Sequence, residues 1–252
     1  MIPLDEILQS ENITSFYKEY SAPEINRAEI LRYSGIPASS LKAGNQKEAE
    51  MLEKMSEKCK SCGNKCDMSF LSSATVDCFS KAQNPLAFEM MEEMLSLTLP
   101  KISYKVMYSY FDFEKIKDTP MYSYLSESND FQKNMTSCKS AVLFAATIGS
   151  GIDMLIRRFD RISPAKAVFL QAIGAERVEA LCDAFNSEIK SSAESMGKKT
   201  HPRFSPGYGD LSIRIQPYIL SMLNAEKRIG ITLSESLLMA PSKSVTAFIG
   251  LE

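Results

Sequence analysis

The sequence predicts an α+β fold: a single domain on a mostly antiparallel, twisted sheet flanked by helices. Three observations carry this. Between Ile102 and Phe113 the residues alternate, with Ile102, Tyr104, Val106, Tyr108 and Tyr110 on one face and Lys105 and Ser109 on the other, the period of a strand. Cys138 to Ile148 is a more continuously apolar run, as in a strand buried on both sides. After Ser163-Pro164 a helical period extends to about Ser195, and helices and strands follow one another in mixed order rather than as βαβ repeats. With 252 residues, 44% hydrophobic and 24% charged, the chain has enough apolar surface to bury a core without staples.

Residues 1–23 read as an irregular lead-in and 24–252 as the domain. Ser21-Ala22-Pro23-Glu24 has the composition of a helix start, and the helix runs to Tyr33, before Gly35 and Pro37 stop it. Residues 45–58 place Ala49, Leu52 and Met55 at helical spacing. Asn84-Pro85 opens another helix, with Leu86, Met90, Met94 and Leu97 on one side. In the long helix, Val178, Leu181, Cys182, Phe185 and Ile189 define a buried stripe, and Glu179 and Asp183 stand four apart on the flanking face. Gln216-Pro217 starts a helix that ends near Arg228, with Gly230 just past its end. Ile231–Leu233 and Ser244–Ile249 complete the strands.

Charge and composition narrow the function. A formal net charge of −2 leaves no basic excess for phosphates, so nucleic acid is not an expected partner. The longest apolar run, Ala141 to Ile148, is far too short to span a bilayer. The opening Met1-Ile2-Pro3-Leu4-Asp5-Glu6 has neither a basic nor an apolar leader region, which makes the expected location cytoplasmic. Cysteines there are thiols or metal ligands rather than disulfides. The single histidine, His201, rules out a multi-histidine metal site, and its place two residues before Arg203 reads as a loop position rather than as the base of a Ser-His-Asp triad.

Two stretches carry chemistry. Cys59, Cys62 and Cys66 follow a C-x2-C-x3-C spacing around Gly63, and Cys78 lies twelve residues beyond. Four thiolates at this density suit zinc or an iron–sulfur cluster, although a loop of free thiols would have the same residues. The second is Arg203-Phe204-Ser205-Pro206-Gly207-Tyr208-Gly209-Asp210. Pro206 fixes one φ angle and the glycines admit conformations closed to other residues, so the segment shapes a loop on which Arg203 and Tyr208 can serve one ligand. An ordinary surface turn has the same local sequence.

Four blocks, over about residues 24–250, resemble the activation domain of cobalamin-dependent methionine synthase, in its shorter stand-alone form. They are Glu29–Gly35, Leu143–Asp153 with the arginine pair that follows, Val178–Phe185, and Arg203 through the Pro-Gly-Tyr turn and Ala225–Gly230 to Thr232–Ser236 and Ser244-Val245. The resemblance implies a domain that binds S-adenosylmethionine and supports reductive remethylation of the cobalamin carried by a partner methionine synthase lacking its own activation domain. A flavodoxin or ferredoxin would supply the electron. By position, Arg203 would hold the ligand carboxylate and Ser205 would offer backbone contacts at the Pro206-Gly207 bend. Tyr208 would lie near the sulfonium, and Asp183 would stand where the family has an acidic residue close to it. A guanidinium grips a carboxylate with two parallel bonds, and a sulfonium, a cation without donors, is met by carboxylate charge and an aromatic ring. No residue of this chain is then required as a catalytic acid or base. The alternative is a Cys-cluster metal-binding or redox docking protein of corrinoid metabolism, without methyl transfer.

Overall fold

Eight α-helices and a four-stranded antiparallel sheet occur among residues 13–35 and 85–252, the residues that the computed structural model describes. The predicted helix over 45–58 and the four cysteines Cys59, Cys62, Cys66 and Cys78 lie outside them. The sheet order is β1 (Ser15–Tyr20), β2 (Tyr104–Asp112), β3 (Ser140–Thr147) and β6 (Ser244–Leu251), each antiparallel to its neighbours. The α+β class and the antiparallel sheet are those the alternating and apolar runs predict. A separate ribbon joins β4 (Thr232–Leu233) to β5 (Met239–Ala240).

The chain divides into two compact units, with the division falling inside two helices. The first comprises the described residues of Met1–Glu24, Lys101–Met154 and Arg177–Glu252, and holds the sheet. The second comprises those of Ile25–Pro100 and Leu155–Glu176. In the second unit are α1 (Arg27–Tyr33), α2 (Pro85–Thr98), most of α5 (Gly151–Ile162) and the first part of α6 (Pro164–Ser195). Arg27 pairs with Glu92 at 2.6 Å and Lys166 with Glu93 at 2.5 Å, ties between α1, α2 and α6. Helix α1 starts later than predicted, because the Asn26 side chain accepts from the Glu29 amide (3.2 Å) and caps the helix there. The buried side of α2 is Met91, Met94, Leu95 and Thr98, whereas Leu86 and Leu97 are exposed. The predicted stripe was therefore rotated by about a residue.

In the first unit the pleat sends alternate residues of the sheet to two sides. Met107, Phe111, Leu143, Ala145 and Phe248 enter a core cluster with Phe131, Leu211, Ile219 and Leu223. From the opposite face Tyr108 and Phe144 pack on Phe185 of α6, with ring centroids 5.4 and 4.8 Å apart. The stripe read from the sequence, Val178, Leu181, Cys182, Phe185 and Ile189, is buried along its whole length. Burying each Leu, Ile or Phe of that stripe contributes about 1.5–3 kcal/mol. Strand β2 is buried on both faces, so Ser109 is enclosed and its hydroxyl donates to the Thr14 carbonyl (2.9 Å).

Two departures from the predicted elements have clear causes. Residues 15–20, expected to be irregular, form β1, whose inward positions are Phe16, Lys18 and Tyr20. Lys18 and the Tyr20 hydroxyl both donate to Glu188 of α6, the latter at 2.6 Å, so the inward lysine is an anchor rather than an outlier. Burial raises the Glu188 carboxyl, but the bonds from Lys18 and Tyr20 outweigh it and hold the group below its usual range. The predicted helix 216–228 is two helices, α7 (Gln216–Leu223) and α8 (Ala225–Ile229). Asn224, at φ 50°, takes the left-handed conformation between them. The break lets Leu223, Ala225 and Ile229 all face the core.

Among the described residues of the same unit, one cation, Arg177, is fully buried. Arg177 donates to the carbonyls of Pro23 (2.7 Å) and Glu24 (2.6 Å), fixing the chain that leaves β1.

Candidate functional site

Arg203 is placed by the sheet. Residues 200–204 run beside β6: the His201 amide donates to the Gly250 carbonyl (3.0 Å), and Phe204 and Phe248 exchange both main-chain bonds at 2.9 Å. The His201 ring donates from Nδ1 to the Asn134 carbonyl (2.6 Å), so the sole histidine works as a tether. Phe204 turns inward, edge-on to Phe131, and Arg203, its neighbour in an extended segment, turns the other way.

On that side it meets α6. Arg203 Nη1 donates to Asp183 Oδ1 at 2.9 Å and Nη2 to Glu179 Oε2 at 2.5 Å. The carboxylates are one helical turn apart, the spacing at which two side chains share a face. Glu179, not included among the predicted site residues, is therefore part of the cluster, and its four-residue spacing from Asp183 was the signal available in the sequence. The guanidinium side chain is 27% exposed, Glu179 41% and Asp183 71%, so the cluster opens to solvent on the Asp183 side. Two of the five N–H donors of Arg203 are engaged by the carboxylates, which leaves donors for a further acceptor. The three side chains sum to one negative charge. Beneath them Cys182 is fully buried, and burial pushes its thiol far above the usual range. It is core rather than a nucleophile.

Beyond Phe204 the chain makes two turns in succession. The Tyr208 amide donates to the Ser205 carbonyl (3.1 Å), closing a turn with Pro206 and Gly207 at its centre. Gly207 has φ 86°, and proline followed by a glycine at positive φ is the signature of a type II turn. Leu211 then donates to the Tyr208 carbonyl (3.2 Å) around Gly209 and Asp210, and the Gly207 amide donates to the Leu211 carbonyl (2.8 Å), which locks the two turns together. Leu211 is buried, while Tyr208 is 72% exposed and stands edge-on to Phe204 at 5.9 Å between centroids. The structure thus brings Arg203 and Asp183 into contact and sets Ser205, Pro206, Gly207 and Tyr208 on the adjoining double turn.

Gly209 is required twice over. Its φ is 55°, and a Cβ there would lie 2.5 Å from Asp130 Oδ2 and 3.1 Å from Asp130 Cβ. Gly209→Ala is expected to lower the unfolding free energy by about 2 kcal/mol, the sum of left-handed strain and overpacking, read from the urea midpoint. An unchanged midpoint would mean that the loop does not pack on Asp130.

Among the described residues no group of three His, Cys, Asp or Glu side chains is arranged to hold a metal ion, and no helix is long and apolar enough to cross a membrane.

A protein-family model described as the activation domain of vitamin B12 dependent methionine synthase matches residues 114–251. That span includes the α6 carboxylates and the double turn. Among solved structures, the chain is similar to a crystal structure of the MetH reactivation domain bound to AdoHcy, with a TM-score of 0.56 and 15% identity, over 95% of this chain and 79% of that one. At this identity the likeness is one of fold. No curated protein matches the chain.

Proposed function

From a chain that belongs to the family of vitamin B12 dependent methionine synthase activation domains, we propose a protein that binds S-adenosylmethionine and supports reactivation of the cobalamin of a methionine synthase. The observation that carries the reading is the Arg203–Glu179–Asp183 cluster, followed along the chain by the exposed Tyr208 of the double turn. The ligand presents a carboxylate, an ammonium and a sulfonium. A guanidinium flanked by two carboxylates is complementary to that alternation of charge, and the net negative charge of the cluster favours a ligand with two cations.

Arg203 would take the carboxylate through its remaining donors, while Glu179 and Asp183 would face the cationic centres. The carboxylates also pre-orient the guanidinium, so less rotamer freedom is lost on binding. Tyr208 would cover the sulfonium with its ring, an attraction worth about 0.5–2 kcal/mol. Ser205, Pro206 and Gly207 would hold that ring at the right height by shaping the turn. The bound ligand supplies an electrophilic methyl group; the residues of this chain only bind, align and shield it, and none is needed to move a proton. The acceptor cobalamin belongs to the partner, a methionine synthase lacking its own activation domain, and the electron comes from a flavodoxin or ferredoxin.

The test has two arms. Calorimetric titration with S-adenosylmethionine is expected to give saturable one-site binding, and addition of the protein to such a methionine synthase with an oxidised cobalamin, a reductant and S-adenosylmethionine is expected to restore turnover. Absence of binding overturns the ligand assignment. Binding without restored turnover confines the protein to a ligand-binding role.

A further inference from the structure

The double turn is fastened at its far end by a contact that the ligand reading does not use. Asp210 accepts from the Ser128 hydroxyl, from the Asn129 amide at 2.8 Å and from the Asp130 amide at 3.1 Å. These donors lie at the junction of α3 (Pro120–Glu127) and α4 (Asn129–Asn134), some eighty residues earlier in the chain. Ser128 also accepts from the Phe131 amide (3.1 Å), and Phe131 is a buried core ring in contact with Phe204 and Phe248. Gly209 packs on Asp130 from the same side. The carboxylate next to Gly209 is thus bonded to a rigid part of the core, while Tyr208, on the other side of that glycine, is exposed and touches only Phe204 among the described aromatic rings.

We propose that Asp210 is the positioning residue of the site: its three bonds to the start of α4 hold the double turn closed, and so fix the exposed Tyr208 ring where it can cover the ligand bound by Arg203. The proposal rests on the reading of Arg203 and Tyr208 as ligand contacts. Its physical content is preorganisation. A tyrosine on an unanchored glycine-flanked loop samples many positions, and binding must then restrict them, which weakens affinity without removing any contact. A carboxylate suits the task because it alone accepts three donors at this geometry, whereas an amide has one acceptor oxygen.

The anchor is also a titratable one. The Ser128 bond, followed by the two backbone amides, holds the Asp210 carboxyl below its usual range, so the bonds persist well into acid. The charged groups facing the contact are Asp130, whose carboxylate abuts Gly209, and Lys133, 3.5 Å from Asp130. A group with a lowered folded pKa contributes fully above its unfolded pKa and loses its contribution as the pH falls through the folded value. The turn is therefore expected to loosen only below the normal aspartate range.

The chain contains no tryptophan, so Tyr208→Trp gives a single fluorescent reporter on the turn. Its steady-state anisotropy is expected to be high at neutral pH, to fall when Asp210→Ala is added, to take an intermediate value with Asp210→Asn, and to drop in one acid step that the Asp210→Ala protein lacks. Far-UV circular dichroism identifies variants that retain the fold. With Tyr208 in place, Asp210→Ala is expected to weaken S-adenosylmethionine binding about tenfold, and Asp210→Glu to restore part of the loss. An anisotropy indifferent to residue 210 overturns the anchor, and a loosened turn with undiminished affinity overturns its positioning role. Absence of ligand binding in the unmodified protein overturns the reading of the site instead, and the two failures are told apart because the reporter needs no ligand.

Discussion

Arg203→Ala is expected to raise the dissociation constant for S-adenosylhomocysteine by at least about 100-fold, the scale of losing a charge-assisted two-pronged contact. The loss has two parts. The ligand carboxylate forfeits its only guanidinium, and Glu179 and Asp183, one helical turn apart, are left to repel each other and that carboxylate. Arg203→Lys is expected to recover little, since an ammonium cannot bridge two carboxylates and a ligand in one plane. The fold should scarcely notice: the ion pairs are partly solvated, and such pairs contribute up to about 1 kcal/mol each. Calorimetry and thermal melting on the same preparations check both halves. Binding that survives Arg203→Ala would remove Arg203 from the site.

Arg177→Met is expected to have the largest effect on stability, a loss of about 3–5 kcal/mol. The guanidinium is fully enclosed and holds two consecutive carbonyls, those of Pro23 and Glu24, where the chain leaves β1. Methionine fills similar volume but donates nothing, so two partly buried carbonyls lose charge-assisted donors, at about 1.5–3 kcal/mol each. Arg177→Lys supplies a charge with the wrong reach and should restore only part. Urea denaturation followed by circular dichroism measures the difference, and a loss under about 1 kcal/mol would mean that water replaces the guanidinium at those carbonyls.

The two residues differ in how visible they are before the structure is known. Arg203 stands beside a Pro-Gly-Tyr turn whose backbone demands are written in its residue types, and the helical stripe of α6 reveals which side of that helix is buried. Glu179 and Asp183 then fall on the flank by arithmetic. What the chain does not disclose locally is pairing across long separations. Lys18 in an inward strand position breaks the apolar alternation of β1, and its reason, Glu188, lies 170 residues on. Asp210 looks like an ordinary turn aspartate until the start of α4 is brought against it. Asn224 ends a helix that the apolar period alone would continue, because the left-handed break serves the packing of Leu223 and Ala225 on the core.

Strand β1 pairs with β2 from Ser15 opposite Ser109 to Tyr20 opposite Tyr104, and residues 21–103 form the connection between these neighbours. That connection contains Cys59, Cys62, Cys66 and Cys78. The entropy of closing a flexible loop grows only logarithmically, by roughly 0.6 kcal/mol for each doubling of length. Residues added between α1 and α2 would therefore cost little in closure entropy, while the six-residue pairing of β1 with β2 would keep its register.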